Sequence, residues 1–164
     1  MNVLLLMALC FVSINVRGLT KIDKFGKMKA LCKKADVILL QETFWKDEMI
    51  ECFKRSWRGG IYYNNGGGIG KGVAVLCKRH MNDDVEIIYR NNGGKCIIVK
   101  MVIGGENVFV CNVHAPNEEA EKKMFFKDLN GQMEKWENII VMGDFNTVFS
   151  RLDIANDMVY GEQC

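Results

Sequence analysis

The stretch Ile139 to Val148, Ile-Ile-Val-Met-Gly-Asp-Phe-Asn-Thr-Val, constrains the fold more than any other part of the chain. Four apolar residues, led by β-branched ones, predict a buried strand, and Gly143 marks its end. Asp144 and Asn146 follow, two positions apart, a spacing that puts both side chains on one face of an extended segment. A carboxylate and an amide at the end of a core strand suit a hard cation and a phosphate. The same residues also make an ordinary Asx-type turn, so this stretch alone leaves both readings open.

Other runs repeat the pattern. Asp36-Val-Ile-Leu-Leu-Gln-Glu42 is continuous and apolar, as in a strand buried on both faces, and it too ends in a carboxylate, Glu42. Carboxylates ending two neighbouring strands can converge on one cation. Strands are also predicted at Val73–Cys77, Val85–Arg90, Cys96–Ile103 and Val108–His114. Asn91–Gly94 and Gly104–Asn107 read as hairpin turns. Val108–His114 ends in Asn112 and His114, which alternate onto one face, and Asn117 lies just beyond; such a histidine carries protons or binds phosphate. Phe11–Arg17 alternates as a strand ending at Gly18. Asn15 lies within it, facing either outward or into a site.

Two helices are predicted between these strands. One runs from a Thr20 cap to about Lys34 with Ile22, Phe25, Met28 and Leu31/Cys32 inward; its lysines form a solvated face. The other runs from an Asn117 cap to about Trp136, with Met124, Phe125, Leu129, Met133 and Trp136 inward. Residues 43–58 read as a loop and a short helix. The glycine-rich Arg58–Gly72 reads as a mobile hairpin-type connection, and it matches no phosphate-binding P-loop. Lys71 there is a solvated loop lysine or a phosphate contact.

A chain of 164 residues suits one domain. The net charge of +2 demands no polyanionic partner, but its distribution is uneven: residues 1–100 hold 17 Lys+Arg against 9 Asp+Glu, and residues 101–164 hold 5 against 11. Seven cysteines, without a Cys-x-x-Cys pair or zinc spacing, point to a reducing, intracellular setting. The apolar run Val3–Val12 is too short to span a bilayer and lacks a signal peptide's basic flank, so it reads as extra apolar residues ahead of the first strand.

Taken in order, the strand endings Asn15, Gln41-Glu42, His114-Ala-Pro-Asn117 and Gly143-Asp144-Phe145-Asn146 resemble the exonuclease–endonuclease–phosphatase superfamily. Asn-Val-Arg-Gly-Leu and Leu-Leu-Gln-Glu-Thr look most like the endonuclease domain of long interspersed (non-LTR) retrotransposon polyproteins. Exonuclease III and apurinic-site endonucleases are close relatives. The resemblance implies an α/β (α+β) fold of the DNase-like type, a four-layered α/β sandwich of two mixed sheets flanked by helices.

It further implies a Mg²⁺-dependent phosphodiester hydrolase acting on DNA, with Mn²⁺ as the alternative ion. Glu42 would ligate the metal and Asn15 help hold it. His114 would lie beside the scissile phosphate, Asp144 align or deprotonate the attacking water, and Asn146 bind phosphate. The expected organisation is an apolar N-terminal extension (1–10), a partial domain (11–150) and an irregular tail (151–164). A nuclear or otherwise intracellular monomer, without membrane association, goes with it. Family members continue into further strands, another acidic metal-site residue and an Asp-His pair. No Asp-His dipeptide occurs in these residues, so the expectation is a C-terminally truncated, retrotransposon-derived domain. The alternative is a catalytically dead remnant or a weak nucleic-acid-binding module.

Overall fold

The computed structural model describes residues 8–66, 71–82 and 84–147; most of the expected N-terminal extension and all of the expected tail lie outside them. In chain order the elements are β1 (Phe11–Asn15), α1 (Ile22–Leu31), β2 (Val37–Gln41), α2 (Asp47–Ser56), β3 (Gly59–Asn64) and β4 (Val73–Lys78). After a short 3₁₀ turn (Arg79–Met81) come β5 (Glu86–Arg90), β6 (Cys96–Ile103), β7 (Glu106–His114), α3 (Glu119–Met133) and β8 (Ile139–Asp144). The strands form two four-stranded sheets, ordered β1-β2-β4-β3 and β5-β6-β7-β8. Each sheet has a parallel pair at one side, β1 with β2 and β7 with β8, and antiparallel partners beyond it.

Side-chain alternation builds the layers. On β2, Ile38 and Leu40 face α1 and α2, meeting Phe25, Met28, Ile50 and Phe53. Val37 and Leu39 face the second sheet, meeting Ile97, Val99, Met101 and Val110. That double burial is why the strand reads as an unbroken apolar run. On the far side, Cys96, Ile98, Cys111 and Val113 pack under α3 around Leu129. The order helix–sheet–sheet–helix is the four-layered α/β sandwich expected from the sequence. The stacked rings of Phe25 and Phe53, with centroids 4.7 Å apart, anchor the first helical layer.

A buried polar link joins the sheets. Asn112 is fully buried, and its Nδ2 donates to the carbonyls of Leu40 (2.9 Å) and Ala74 (2.8 Å) on the opposite sheet. Its Oδ1 accepts from Gln41 Nε2 at 2.6 Å, and Gln41 also reaches Ser13 Oγ at 3.1 Å. Asn112, a candidate for chemistry by its place near a strand end, instead ties the two sheets together.

Several local expectations are corrected. Residues Gly59–Asn64, read as part of a mobile connection, form β3, an edge strand whose Ile-Tyr-Tyr centre supplies β propensity against β4. The first helix begins after Lys21 rather than at a Thr20 cap, and ends at Leu31 rather than Lys34. Cys32 goes inward, while Ile22 and Leu31 are 47% and 78% exposed. Glu118, not Asn117, precedes α3, which ends at Met133 rather than Trp136, and Met124 is 69% exposed. Beyond Leu31 and Met133 the chain continues in single turns, with Ala35 N donating to Cys32 O at 2.9 Å and Trp136 N to Met133 O at 3.1 Å, rather than in further helix. Among the described residues, no helix is long and apolar enough to cross a membrane.

Two outcomes are expected. Asn112→Leu removes one acceptor of Gln41 Nε2 and the side-chain donor to the Leu40 and Ala74 carbonyls. It is expected to lower stability by about 1–3 kcal/mol in urea unfolding, without shifting the helical signal of the folded state. Asp36 accepts from the Cys10 backbone amide at 2.9 Å and meets the Lys78 ammonium at 3.4 Å. The Cys10 bond first, then Lys78, hold its carboxyl below the usual carboxylate range against the opposing effect of burial. A depressed folded-state pKa stabilises the fold above the unfolded value of about 3.9 and is lost as pH falls through the folded value. Asp36→Asn is therefore expected to flatten the fall of unfolding midpoint below about pH 4 relative to the wild type.

Candidate active site

All four strands of the two parallel pairs end at one rim. Asn15 lies opposite Gln41 in the β1–β2 register, and His114 lies opposite Asp144 in the β7–β8 register. Stacking of the sheets sets β1 against β8 and β2 against β7. The carboxyl ends of parallel strands are where open α/β sheets gather ligands.

Contact between the sheets at this rim is polar. Asn15 Nδ2 donates to Glu42 Oε1 and to Asp144 Oδ2, both at 2.8 Å, so one amide holds two carboxylates carried by different sheets. His114 Nε2 lies 3.5 Å from Glu42 Oε1, too long for a strong hydrogen bond. One ligand atom each from Glu42, His114 and Asp144 falls within 4.8 Å of the other two. Among the described residues, neither carboxylate has a lysine or arginine within ion-pair distance. Two carboxylates without a cationic partner form an oxygen donor pair that fits a hard divalent cation, while the Asn15 Oδ1 accepts from the Arg17 backbone N–H at 3.1 Å.

Burial pushes the His114 pKa down, against the pull of Glu42 and Asp144, with Lys95 adding to the depression. The ring is therefore neutral at neutral pH and keeps one N–H donor. Among the described residues, its buried Nδ1 has no hydrogen-bond partner.

Backbone geometry explains how the side chains reach the rim. Glu42 has φ 53° and Phe44 φ 55°, left-handed values that cost a non-glycine residue about 1 kcal/mol or more each. Crossing bonds hold them there: Gly18 N to Glu42 O (2.7 Å), Leu19 N to Thr43 O (2.8 Å) and Thr43 N to Gly72 O (3.0 Å). Glu42 is thus turned off the end of β2 rather than continuing its alternation. On the second sheet Gly143 has φ 148°, and a Cβ there would overlap the carbonyl oxygen of Val113. This lets β8 close on β7 and set Asp144 beside His114.

Asn146, with φ 46°, donates its backbone N–H to Asp144 Oδ1 at 3.0 Å, the Asx-type turn that the sequence allowed. Turn and site are thus the same structure. The Asn146 amide donates to the Ala115 carbonyl at 2.6 Å, which occupies one of its two N–H groups. Lys122 escaped sequence reading because it sits in a run of charged residues. It is 8% exposed, and its ammonium donates to the Asn146 carbonyl and to Glu119 Oε1, both at 2.7 Å. A helix lysine thereby fastens the turn that carries Asp144. Asn117 is exposed and His80 pairs with Asp36 at 3.5 Å, at the other end of β2.

With these features in place, the comparisons with known proteins are consistent. The model of the Endonuclease/Exonuclease/phosphatase family matches residues 12–161, and the chain belongs to that family. A Xenopus laevis protein described as Transposon TX1 uncharacterized 149 kDa protein is 24% identical over 152 residues, covering 90% of this chain and 12% of that protein. The chain thus spans about an eighth of the length of that relative.

Among solved structures, the 3′ phosphatase NExo from Neisseria, bound to a product DNA hairpin, superposes with a TM-score of 0.65 at 18% identity, over 89% of this chain and 61% of that one. The endonuclease domain of TRAS1, a telomere-specific non-LTR retrotransposon, gives 0.60 at 15% identity, over 84% and 61%. D. rerio TDP2 complexed with a single-strand DNA product gives 0.59 at 19% identity, over 85% and 61%. At such identities the likeness is one of fold.

Gly143→Ala is expected to destabilise the protein by about 2 kcal/mol or more, since the backbone carbonyl it meets cannot swing aside. Urea unfolding checks this, with Gly131→Ala, where the added Cβ meets nothing within 4 Å, as the control.

Proposed function

We propose that the chain carries the catalytic rim of a divalent-cation-dependent phosphodiester hydrolase acting on DNA. The observation that carries this reading is the Asn15 amide clasping Glu42 and Asp144 from opposite sheets at 2.8 Å each. Family membership and the two DNA-bound structural neighbours support DNA as the substrate. A single chain working on DNA inside the cell, in the nucleus where there is one, is the setting this reading implies.

Glu42 would hold the cation and Asn15 would help hold it by fixing the Glu42 carboxylate, with Mg²⁺ favoured by the hardness of carboxylate oxygen and Mn²⁺ as a substitute. When bound, that ion supplies positive charge against the phosphate oxygens. The protein's own groups do the remainder. Asp144, oriented by the Asn146 backbone N–H, accepts the proton of the attacking water as a water–phosphorus bond forms. Neutral His114 offers an N–H to a phosphate oxygen, as does the remaining N–H of the Asn146 amide. The phosphorus–oxygen bond to the leaving strand then breaks, and that oxygen takes up a proton from solvent.

Purified protein is expected to nick supercoiled plasmid in Mg²⁺ and not in excess EDTA. Glu42→Gln and Asp144→Asn are each expected to lower the rate by about 10²-fold or more. Equal nicking by wild type and both variants would refute the assignment.

A further inference from the structure

A second feature lies at the opposite end of β2. Asp36, just before the strand, contacts Lys78, while Glu42, just after it, sits at the rim. Six residues of extended chain separate them by roughly 20 Å. Beside Lys78 is a surface recess of about 270 Å³ between the end of α1, the α2–β3 junction and the end of β4. It is lined by Lys29, Lys33, Ser56, Trp57, Arg58 and Lys78, together with Cys32.

Its polar groups are set in place by the fold. Lys29 Nζ donates to the Ser56 carbonyl at 2.7 Å and reaches Ser56 Oγ at 3.2 Å. The Trp57 indole N–H donates to the Cys77 carbonyl at 3.0 Å. Gly59 leaves room for that bond, since a Cβ there would lie 2.8 Å from the indole nitrogen. Four cationic side chains thus line one recess together with an oriented aromatic ring. Among the described residues, Asp36 is the one carboxylate paired with any of them.

We propose that this recess binds a nucleoside phosphate unit, with its phosphate on the Lys29, Lys33, Arg58 and Lys78 cluster and its base against Trp57. A purely inorganic anion would leave the apolar floor of Trp57 and Cys32 uncovered. A neutral apolar ligand would leave the charges of Lys29, Lys33 and Arg58 without a counter-charge. A nucleotide satisfies both, because a base stacks on an aromatic face while the phosphate meets the ammonium and guanidinium groups. The volume is at the small end of ligand sites, which suits one nucleotide rather than several. The unit is either a free nucleotide or one nucleotide of a single strand. The inference does not rest on the catalytic reading of the rim.

The test titrates the full chain in EDTA with adenosine 5′-monophosphate, inorganic phosphate and a short labelled oligothymidylate, following tryptophan fluorescence and label anisotropy. The nucleotide or the oligonucleotide is expected to bind about tenfold or more tightly than phosphate. Lys33→Glu and Arg58→Glu, both at exposed positions, are each expected to weaken that binding about tenfold or more. Trp57→Phe is expected to abolish the fluorescence change, and Glu42→Gln to leave binding intact. Binding of the oligonucleotide alone supports a strand as the occupant, and binding of the mononucleotide supports a free nucleotide. Phosphate binding as well as either, insensitivity to both charge reversals, or loss of binding in Glu42→Gln would each overturn the proposal.

Discussion

The Asn15 amide is where the two halves of the molecule meet chemically. Its two N–H groups reach carboxylates on Glu42 and Asp144, which are 27 and 129 residues away in sequence and come from different sheets. Everything beneath must be in register for this to happen. The β1–β2 pair must end together, the β7–β8 pair must end together, and the sheets must stack with those ends aligned. A one-residue slip in either parallel pair would turn an acid to the wrong face. The buried Asn112–Gln41 link, one residue below the rim on β2, guards against sliding between the sheets. A polar bond in a dry interface tolerates displacement far less than apolar contacts do.

Strain collects at the same place. Arg17, Glu42, Phe44 and Asn146 all hold left-handed φ values between 45° and 55°. Each costs of the order of 1 kcal/mol or more, yet all four lie on the segments that leave the strands at the rim. The cost is offset by bonds from neighbouring segments. Lys24 donates to the Val16, Arg17 and Gly18 carbonyls, and Lys122 to that of Asn146. Lys24, which reads in sequence as part of a solvated helix face, and Lys122, which sequence reading missed, thus fasten the turns that present the site. Chain geometry that would be wasteful elsewhere serves to turn Glu42 inward and Asp144 alongside His114.

Much of this was legible from residue order. Apolar runs ending in Asn15, Glu42, His114 and Asp144 marked the strands, and doubly buried β2 showed itself as an unbroken hydrophobic stretch. What stayed hidden depended on contacts between distant segments. Gly59–Asn64 carries two glycines and two tyrosines, a mixture whose strand character shows only once β4 lies beside it. Met124 and Leu31 fit a helical period, yet the tertiary packing leaves them 69% and 78% exposed. Asn112 looked like a site residue because amides near strand ends often are. Only the opposing carbonyls of Leu40 and Ala74 reveal its structural task.

The uneven charge along the chain also acquires a structural meaning. Cations of the first hundred residues supply α1, the α2–β3 junction and the end of β4, and so gather around the recess by Trp57. The rim draws its acids from both halves, Glu42 from the first and Asp144 from the second, and lacks a lysine or arginine partner for either among the described residues. β2 therefore joins a cation-rich end to an anion-rich end across one short strand. Like charges at the rim repel in a partly dry setting, which favours a bound cation there; like charges around the recess favour a bound anion by the same argument. On the two proposals made above, one end would take a cation and the other a phosphate, and the same strand fixes the distance between them.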